Sequence, residues 1–308
     1  MSAAAPEGWT ARQLAKLGLN GRWGRWLVIA VPSIWLLIFF LAPFLVVLKI
    51  AFSEAAIARP PYTPLITWEE GRLFLTLNFG NFQYLWEDSL YLFAYLSSIK
   101  IAFFSTVFAL LIGYPMAYFI ARSDDKIRNI LLMLVILPFW TSFLLRVYAW
   151  IGFLKGNGLI NNFLIWLGVI DDPIVMMQTD FAVYVGIVYT YLPFMILPLY
   201  ANLVKLDEAF LEASADLGAK PMTTFFQVTL PLSMPGIIAG SMLVFIPAIG
   251  EYVIPALLGG PDTLMIGKIL WSEFFSNRDW PVASAVAIVM LFLLVIPVMF
   301  LRKTEVKT

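Results

Sequence analysis

The sequence predicts an all-α polytopic membrane protein with six transmembrane helices. Three observations carry that prediction. Hydrophobic residues make up 61% of the 308, and mean hydropathy is +0.86, whereas a soluble domain is roughly 45–50% apolar. Charged residues are only 13%. Apolar runs recur along the chain, each near the ~20 residues that a helix needs to cross a ~30 Å hydrocarbon core.

The elements follow in order. Residues 1–25 read as a cytoplasmic tail carrying Arg12, Lys16, Arg22 and Arg25, in which Trp9, Leu14, Leu17 and Leu19 suit a weak interfacial helix. Trp23 and Trp26 suit the headgroup belt. The apolar run 26–52 is longer than a signal-peptide core and lacks a small-x-small cleavage pattern, so it reads as a retained first span. Further spans are expected at 97–121, 129–153, 181–204, 235–258 and 281–301, which makes 26–301 the membrane domain and 302–308 a cytoplasmic tail.

Lysine and arginine orient the chain. The N-terminal tail, Arg122/Lys126/Arg128, Lys205/Lys220 and Arg302/Lys303/Lys307 hold twelve of the twenty basic residues, all in short segments beside spans. The positive-inside rule then puts both termini and the loop 205–234 in the cytoplasm. The opposite segments, 53–96, 156–180 and 259–280, mix carboxylates with aromatic residues. That mixture suits an organic cation, because carboxylates pair with ammonium groups and ring faces attract them. Polar exterior loops with interfacial aromatics have the same composition.

Composition also excludes. With no histidine and no cysteine, the chain has no disulfide, no Cys or His metal site and no histidine base; catalysis would have to rest on carboxylates, serine, lysine or tyrosine, and with no metal cluster and no nucleophile–base pair at recognisable spacing, no metal centre and no catalytic residues are expected. Net charge is zero, which gives no sign of a nucleic-acid partner. The nearest string to a phosphate loop, residues 260–269, has the wrong glycine spacing, and Lys268 is not followed by serine or threonine. No cofactor is expected on this chain.

The loop 205–234 is the most informative stretch. Leu206, Ala209, Phe210, Ala213 and Leu217 make an apolar stripe, with Asp207, Glu208, Glu212 and Asp216 mainly off it. Gly218 can end that helix in a left-handed turn, Pro221 can open a second helix over 222–228, and Leu230-Pro231 is expected to close it. Glu212-Ala213-Ser214, three residues, Gly218, nine residues, then Val228-Thr229-Leu230-Pro231 resembles the EAA loop of ATP-binding-cassette importer membrane subunits. Ser214 stands where the family has alanine and Val228 where it has isoleucine.

The fifth run contains Gly236 and Gly240 at GxxxG spacing, which permits close helix approach. It also contains Glu251 between Gly250 and Pro255. A carboxylate inside a span faces a cavity or a partner. Glu251 therefore reads as a substrate contact, with Tyr252 beside it, or as the ion-pair partner of Arg146 or Lys100. Tyr189 and Tyr191 in the fourth run, and Trp140 and Tyr148 in the third, are the other candidate path residues.

The run GEYVIPALLGGPDTLMIGKILWSEFFSNRDWPVASAVAIVM from Gly250, and LPFWTSFLLRVYAW from Leu137 to Trp150, are similar to membrane subunits of spermidine/putrescine importers, closest to the putrescine type. That resemblance implies a type I importer fold in a bacterial inner membrane, with cytoplasmic EAA coupling helices. It implies two copies of an ATP-binding subunit, docked through Glu212, Ala213, Ser214, Gly218, Leu230 and Pro231. It also implies a second, homologous membrane subunit and a periplasmic polyamine-binding protein. The alternative is a gradient-driven secondary transporter of small organic cations working through Glu251.

Overall fold

The computed structural model describes residues 22–69 and 72–305. The interfacial helix expected within residues 1–21 lies outside the described residues, as do residues 306–308 of the C-terminal tail. Apart from one short hairpin, every regular element among the described residues is helical. Helix α1 (Arg22–Leu36) runs through a π turn (Leu37–Leu41) into α2 (Ala42–Ala51). A β-hairpin follows (β1 Ile66–Glu69, β2 Arg72–Leu75), then α3 (Gly80–Glu87) and the long α4 (Ser89–Arg122).

The hairpin is an addition to the expected all-helical fold. Its signal in the sequence is two short alternating apolar runs on either side of Glu70-Gly71. The loop that carries it is tied to the end of the first span. The Asn78 N–H donates to the Phe52 carbonyl at 2.8 Å, and Asn81 Nδ2 donates to the Ala51 and Ser53 carbonyls, each at 2.8 Å.

Among the described residues, three helices are long and apolar enough to cross a membrane: Val28–Ala51, α4 and α8 (Asp180–Leu203). Two bent helix pairs raise the number to five if each is one span. The expected third span, 129–153, is one of these and is not continuous. Helix α5 (Asp125–Ile136) and a 3-10 turn (Leu137–Trp140) meet α6 (Phe143–Leu154) and α7 (Leu159–Trp166) at a 92° bend. The break is at Thr141 and Ser142, both extended (ψ 151° and 135°), and Thr141 Oγ1 donates back to the Pro138 carbonyl at 2.8 Å.

The expected fifth span is broken as well. Its main helix (Met234–Ile249, α12 below) stops at Gly250, and the short α13 (Val253–Leu258) restarts after Tyr252. Helix α14 (Ile266–Trp271) continues as a π turn (Ser272–Asn277), and α15 (Trp280–Glu305) covers the expected sixth span.

Helices α4, α8 and α12 pack on one another at the centre, and small residues explain why they can. Along α4, Ala94, Ser98, Ala102, Ser105, Ala109, Gly113, Ala117 and Ala121 are all buried. They recur every three or four residues as a small-residue seam, with Tyr95, Ile101, Thr106, Tyr114 and Ile120 buried among them, and let backbones approach closely where they meet a neighbour. The GxxxG pair has this role on α12. A Cβ on Gly240 would stand 3.0 Å from the Met195 carbonyl oxygen, and one on Gly236 would stand 2.8 Å from Asn202 Cβ. The first span sits at the edge, packed on α15 through α2 and exposed along most of its length.

Candidate coupling knob and translocation site

The loop 205–234 folds as a helix-turn-helix. Helix α9 (Glu208–Asp216) starts at Asp207, whose carboxylate accepts from the Ala209 N–H at 3.0 Å. It ends in a Schellman turn: the Ala219 N–H reaches the Ser214 carbonyl at 3.1 Å and the Gly218 N–H reaches that of Ala215 at 2.8 Å. Gly218 takes φ +80°, which only glycine adopts without strain, and a Cβ there would meet nothing within 4 Å.

The second helix, α10 (Pro221–Thr224), opens on proline as expected. It does not close at Leu230-Pro231. A π turn (Phe225–Thr229) carries it into α11 (Leu230–Leu232), so Pro231, which has no N–H to donate, lies within a continuing helix. The chain turns instead at Ser233, with a 65° bend into α12.

Ser214 is buried, and its Oγ lies 2.8 Å from Thr224 Oγ1, so the serine ties the two helices of the knob together. Glu212, Ala213 and Gly218 are exposed. Around them Leu217 is 88% exposed and Met222 69%, with Phe210 and Phe226 also exposed.

The knob is linked to the bundle at two places. Arg122, at the end of α4, pairs with Glu208 at 3.0 Å. Tyr114 meets the Phe225 ring edge-on at 5.6 Å, and its hydroxyl lies 2.9 Å from Ser233 Oγ. Both links end on α4, the helix that carries the small-residue seam.

Glu251 sits at the break between α12 and α13 and is 8% exposed. Its Oε1 accepts from the N–H groups of Tyr252 (3.1 Å), Val253 (3.0 Å) and Ile254 (3.4 Å). Its Oε2 accepts from Tyr191 Oη at 2.6 Å. The carboxylate thus caps α13 at its positive end and crosslinks it to α8. It forms no ion pair with Arg146 or Lys100 among the described residues. Arg146 instead lies over the rings of Phe139 and Phe143, at 5.5 and 5.8 Å, and Lys100 is exposed. The Glu251 carbonyl, to which Pro255 cannot donate, is covered by Gly267, where a Cβ would come within 2.7 Å of it.

The other candidate path residues divide into two groups. Tyr252 stacks on Trp271 with centroids 4.4 Å apart, and Trp271 in turn meets Phe275 at 4.0 Å. Tyr189 packs edge-on to Trp150 at 5.4 Å. Glu251, Tyr191 and Tyr252 therefore form one cluster. Trp140 and Tyr148 are 74% and 56% exposed on the bent pair and share no hydrogen bond or ring contact with that cluster among the described residues. Trp271 joins the cluster although sequence reasoning leaves it out. No motif spacing marks it, because it lies on α14 while its partner Tyr252 comes from the break before α13.

A family model described as "Binding-protein-dependent transport system inner membrane component" matches residues 109–303. The spermidine/putrescine transport system permease protein PotB of Haemophilus influenzae is 40% identical over 262 residues, covering 85% of this chain and 87% of that protein. PotB of Escherichia coli is 47% identical over 201 residues, covering 65% and 73%. Among solved structures, a bacterial ABC transporter involved in the import of the acidic polysaccharide alginate superposes with TM-score 0.65 at 18% identity, covering 97% of this chain and 99% of that one. The inward-facing MetNI methionine ABC transporter gives TM-score 0.54 at 18% identity, covering 73% and 97%. At that identity the two structures speak for the fold alone. The family model spans more than half of the chain, and the chain belongs to the family of binding-protein-dependent transport system inner membrane components.

Proposed function

We propose that this chain is the permease subunit of an ATP-driven polyamine importer of the spermidine/putrescine type. The observation that carries the reading is the 40% identity to a polyamine permease across 85% of the chain. The chain crosses a bacterial inner membrane six times, counting each bent pair and α15 as one span apiece, with both termini in the cytoplasm. It hydrolyses nothing itself. ATP and Mg are held by two copies of a partner subunit, a second homologous membrane subunit completes the path, and a periplasmic polyamine-binding protein delivers the substrate.

Glu212, Ala213, Ser214, Gly218, Leu230 and Pro231 form the knob that docks the ATPase, which is consistent with its exposed apolar surface. Closure of the ATPase pair moves the knob, and Tyr114 and Arg122 pass that movement to α4. Glu251, Tyr252 and Tyr191 stand where the fifth span is broken, beside the path, with Tyr189, Trp140 and Tyr148 further along it. In this conformation both Glu251 oxygens are occupied. Oε2 still keeps one acceptor position beside the Tyr191 hydroxyl, and that is where a polyamine ammonium contacts the carboxylate.

The test is reconstitution of the chain with its ATPase, its second membrane subunit and its binding protein in liposomes. Uptake of labelled putrescine or spermidine that requires ATP and the binding protein supports the reading. Uptake by this chain alone, driven by an ion gradient, overturns it.

A further inference from the structure

A row of aromatic side chains runs from Glu251 to an arginine. Tyr191, which donates to Glu251 Oε2, meets Phe194 on the next turn of α8, with ring centroids 6.1 Å apart. Phe194 meets Phe139 edge-on at 5.2 Å, and Phe139 belongs to the 3-10 turn of the bent pair. The Arg146 guanidinium closes the row, 5.5 Å from the Phe139 ring and 5.8 Å from that of Phe143. Phe139 and Phe194 are both exposed, so the middle of this wall is open to a ligand.

Arg146 carries a charge that no carboxylate offsets among the described residues. Its Nε and Nη1 are shut off from solvent and have no hydrogen-bond partner among those residues. The two rings attract the guanidinium but leave its charge in place. A cation held in an apolar segment without a counter-charge is costly. Its presence at the far end of a wall that starts at a carboxylate points to a use for the charge itself.

We propose that Arg146 sets the length and charge of the polyamine that the path accepts, admitting a diamine and opposing a triamine. This rests on the importer reading and on Glu251 Oε2 as the contact for one ammonium. From ordinary bond lengths, an extended four-carbon diamine spans about 6 Å between its nitrogens, and a triamine with one further three-carbon arm spans about 11 Å. With one end at Glu251, the second ammonium of the diamine lies over Tyr191 and Phe194, whose ring faces attract it. The triamine reaches on to Phe139, where the guanidinium already sits. At an effective dielectric constant of about 20, two unit charges a few ångströms apart repel strongly enough to lower occupancy about tenfold or more.

The test measures initial uptake of labelled putrescine and of labelled spermidine by the complete complex in liposomes. Each is delivered by saturating, fully loaded binding protein, so that protein's own preference drops out. The variants are Arg146→Gln and Arg146→Met, both neutral, and Arg146→Lys, which keeps the charge. A neutral side chain enters a membrane segment more readily than arginine does, so both neutral variants insert. The ratio of spermidine rate to putrescine rate is expected to rise about tenfold in both neutral variants and to stay at the parent value in Arg146→Lys. A merely structural role lowers both rates together and leaves the ratio where it was. An unmoved ratio in the neutral variants, or a raised one in the lysine variant, overturns the proposal, while ATP-dependent uptake by the parent complex keeps the importer reading. If the parent complex takes up neither substrate, both fall. Loss of the second membrane subunit from the neutral variants, read by native mass spectrometry, makes Arg146 an interface residue and also overturns the proposal.

Discussion

Removing the Glu251 carboxylate has a cost that can be worked from its partners. In Glu251→Ala, α13 loses the acceptor for the N–H groups at its start, and loss of a helix cap costs about 1 kcal/mol. Tyr191 loses its partner while remaining partly buried, and an unsatisfied buried hydroxyl costs about 1–3 kcal/mol. The expected destabilisation is therefore about 2–4 kcal/mol. Glu251→Gln keeps one acceptor oxygen over the helix end and should lose about 1 kcal/mol or less. Tyr191→Phe removes only the hydroxyl, so the double variant Glu251→Ala/Tyr191→Phe should fall short of additivity by about 1 kcal/mol or more. The assay is thermal unfolding of the purified chain in detergent, followed by size-exclusion fluorescence. An alanine variant as stable as the parent, or strict additivity in the cycle, would refute the claim that this carboxylate holds α13 to α8.

Three further outcomes are expected. Gly218→Asp puts a Cβ at φ +80° in open space, so it should cost only about 1–2 kcal/mol in the isolated chain while abolishing ATP-dependent uptake; normal uptake in that variant removes the knob from the coupling route. Gly240→Val forces a side chain against the Met195 carbonyl and should destabilise the α8–α12 contact by about 1–3 kcal/mol, read as a lowered melting temperature. Asn81→Ala removes both bonds to the end of the first span and should cost about 1–3 kcal/mol; limited proteolysis of the loop 53–79 should quicken, and unchanged cleavage would count against that anchor.

Much of the fold is legible in the sequence. Gly218 and Pro221 mark a turn and a helix start by backbone chemistry that is local, and both appear where spacing puts them. Gly236 and Gly240 announce a close approach because a missing side chain has few other uses in a span. The seam on α4 is equally readable, as alanine, serine and glycine every three or four residues. The breaks are harder. Pro138 sits near the 92° bend, yet the chain turns at Thr141 and Ser142, whose extended backbone no propensity rule dictates. Glu251 stands out as a carboxylate among apolar residues, but its partners do not. One is a tyrosine on another helix, and the rest are N–H groups freed by a helix break. Long-range pairing of this kind depends on how helices are rotated, which periodicity alone does not determine.

The seam along α4 has a mechanical consequence. Helices that interlock through large side chains resist sliding, because each ridge must climb out of its groove. The alanine, serine and glycine positions of α4 have shallow ridges over which a neighbour can shift while keeping contact, and Tyr95, Ile101, Thr106, Tyr114 and Ile120 are buried among them as higher steps. Both links from the knob end on this helix. In the proposed coupling route, force entering at the end nearest the knob crosses shallow alanine, serine and glycine contacts and catches at the larger side chains between them, so α4 has the character of a ratchet with widely spaced teeth.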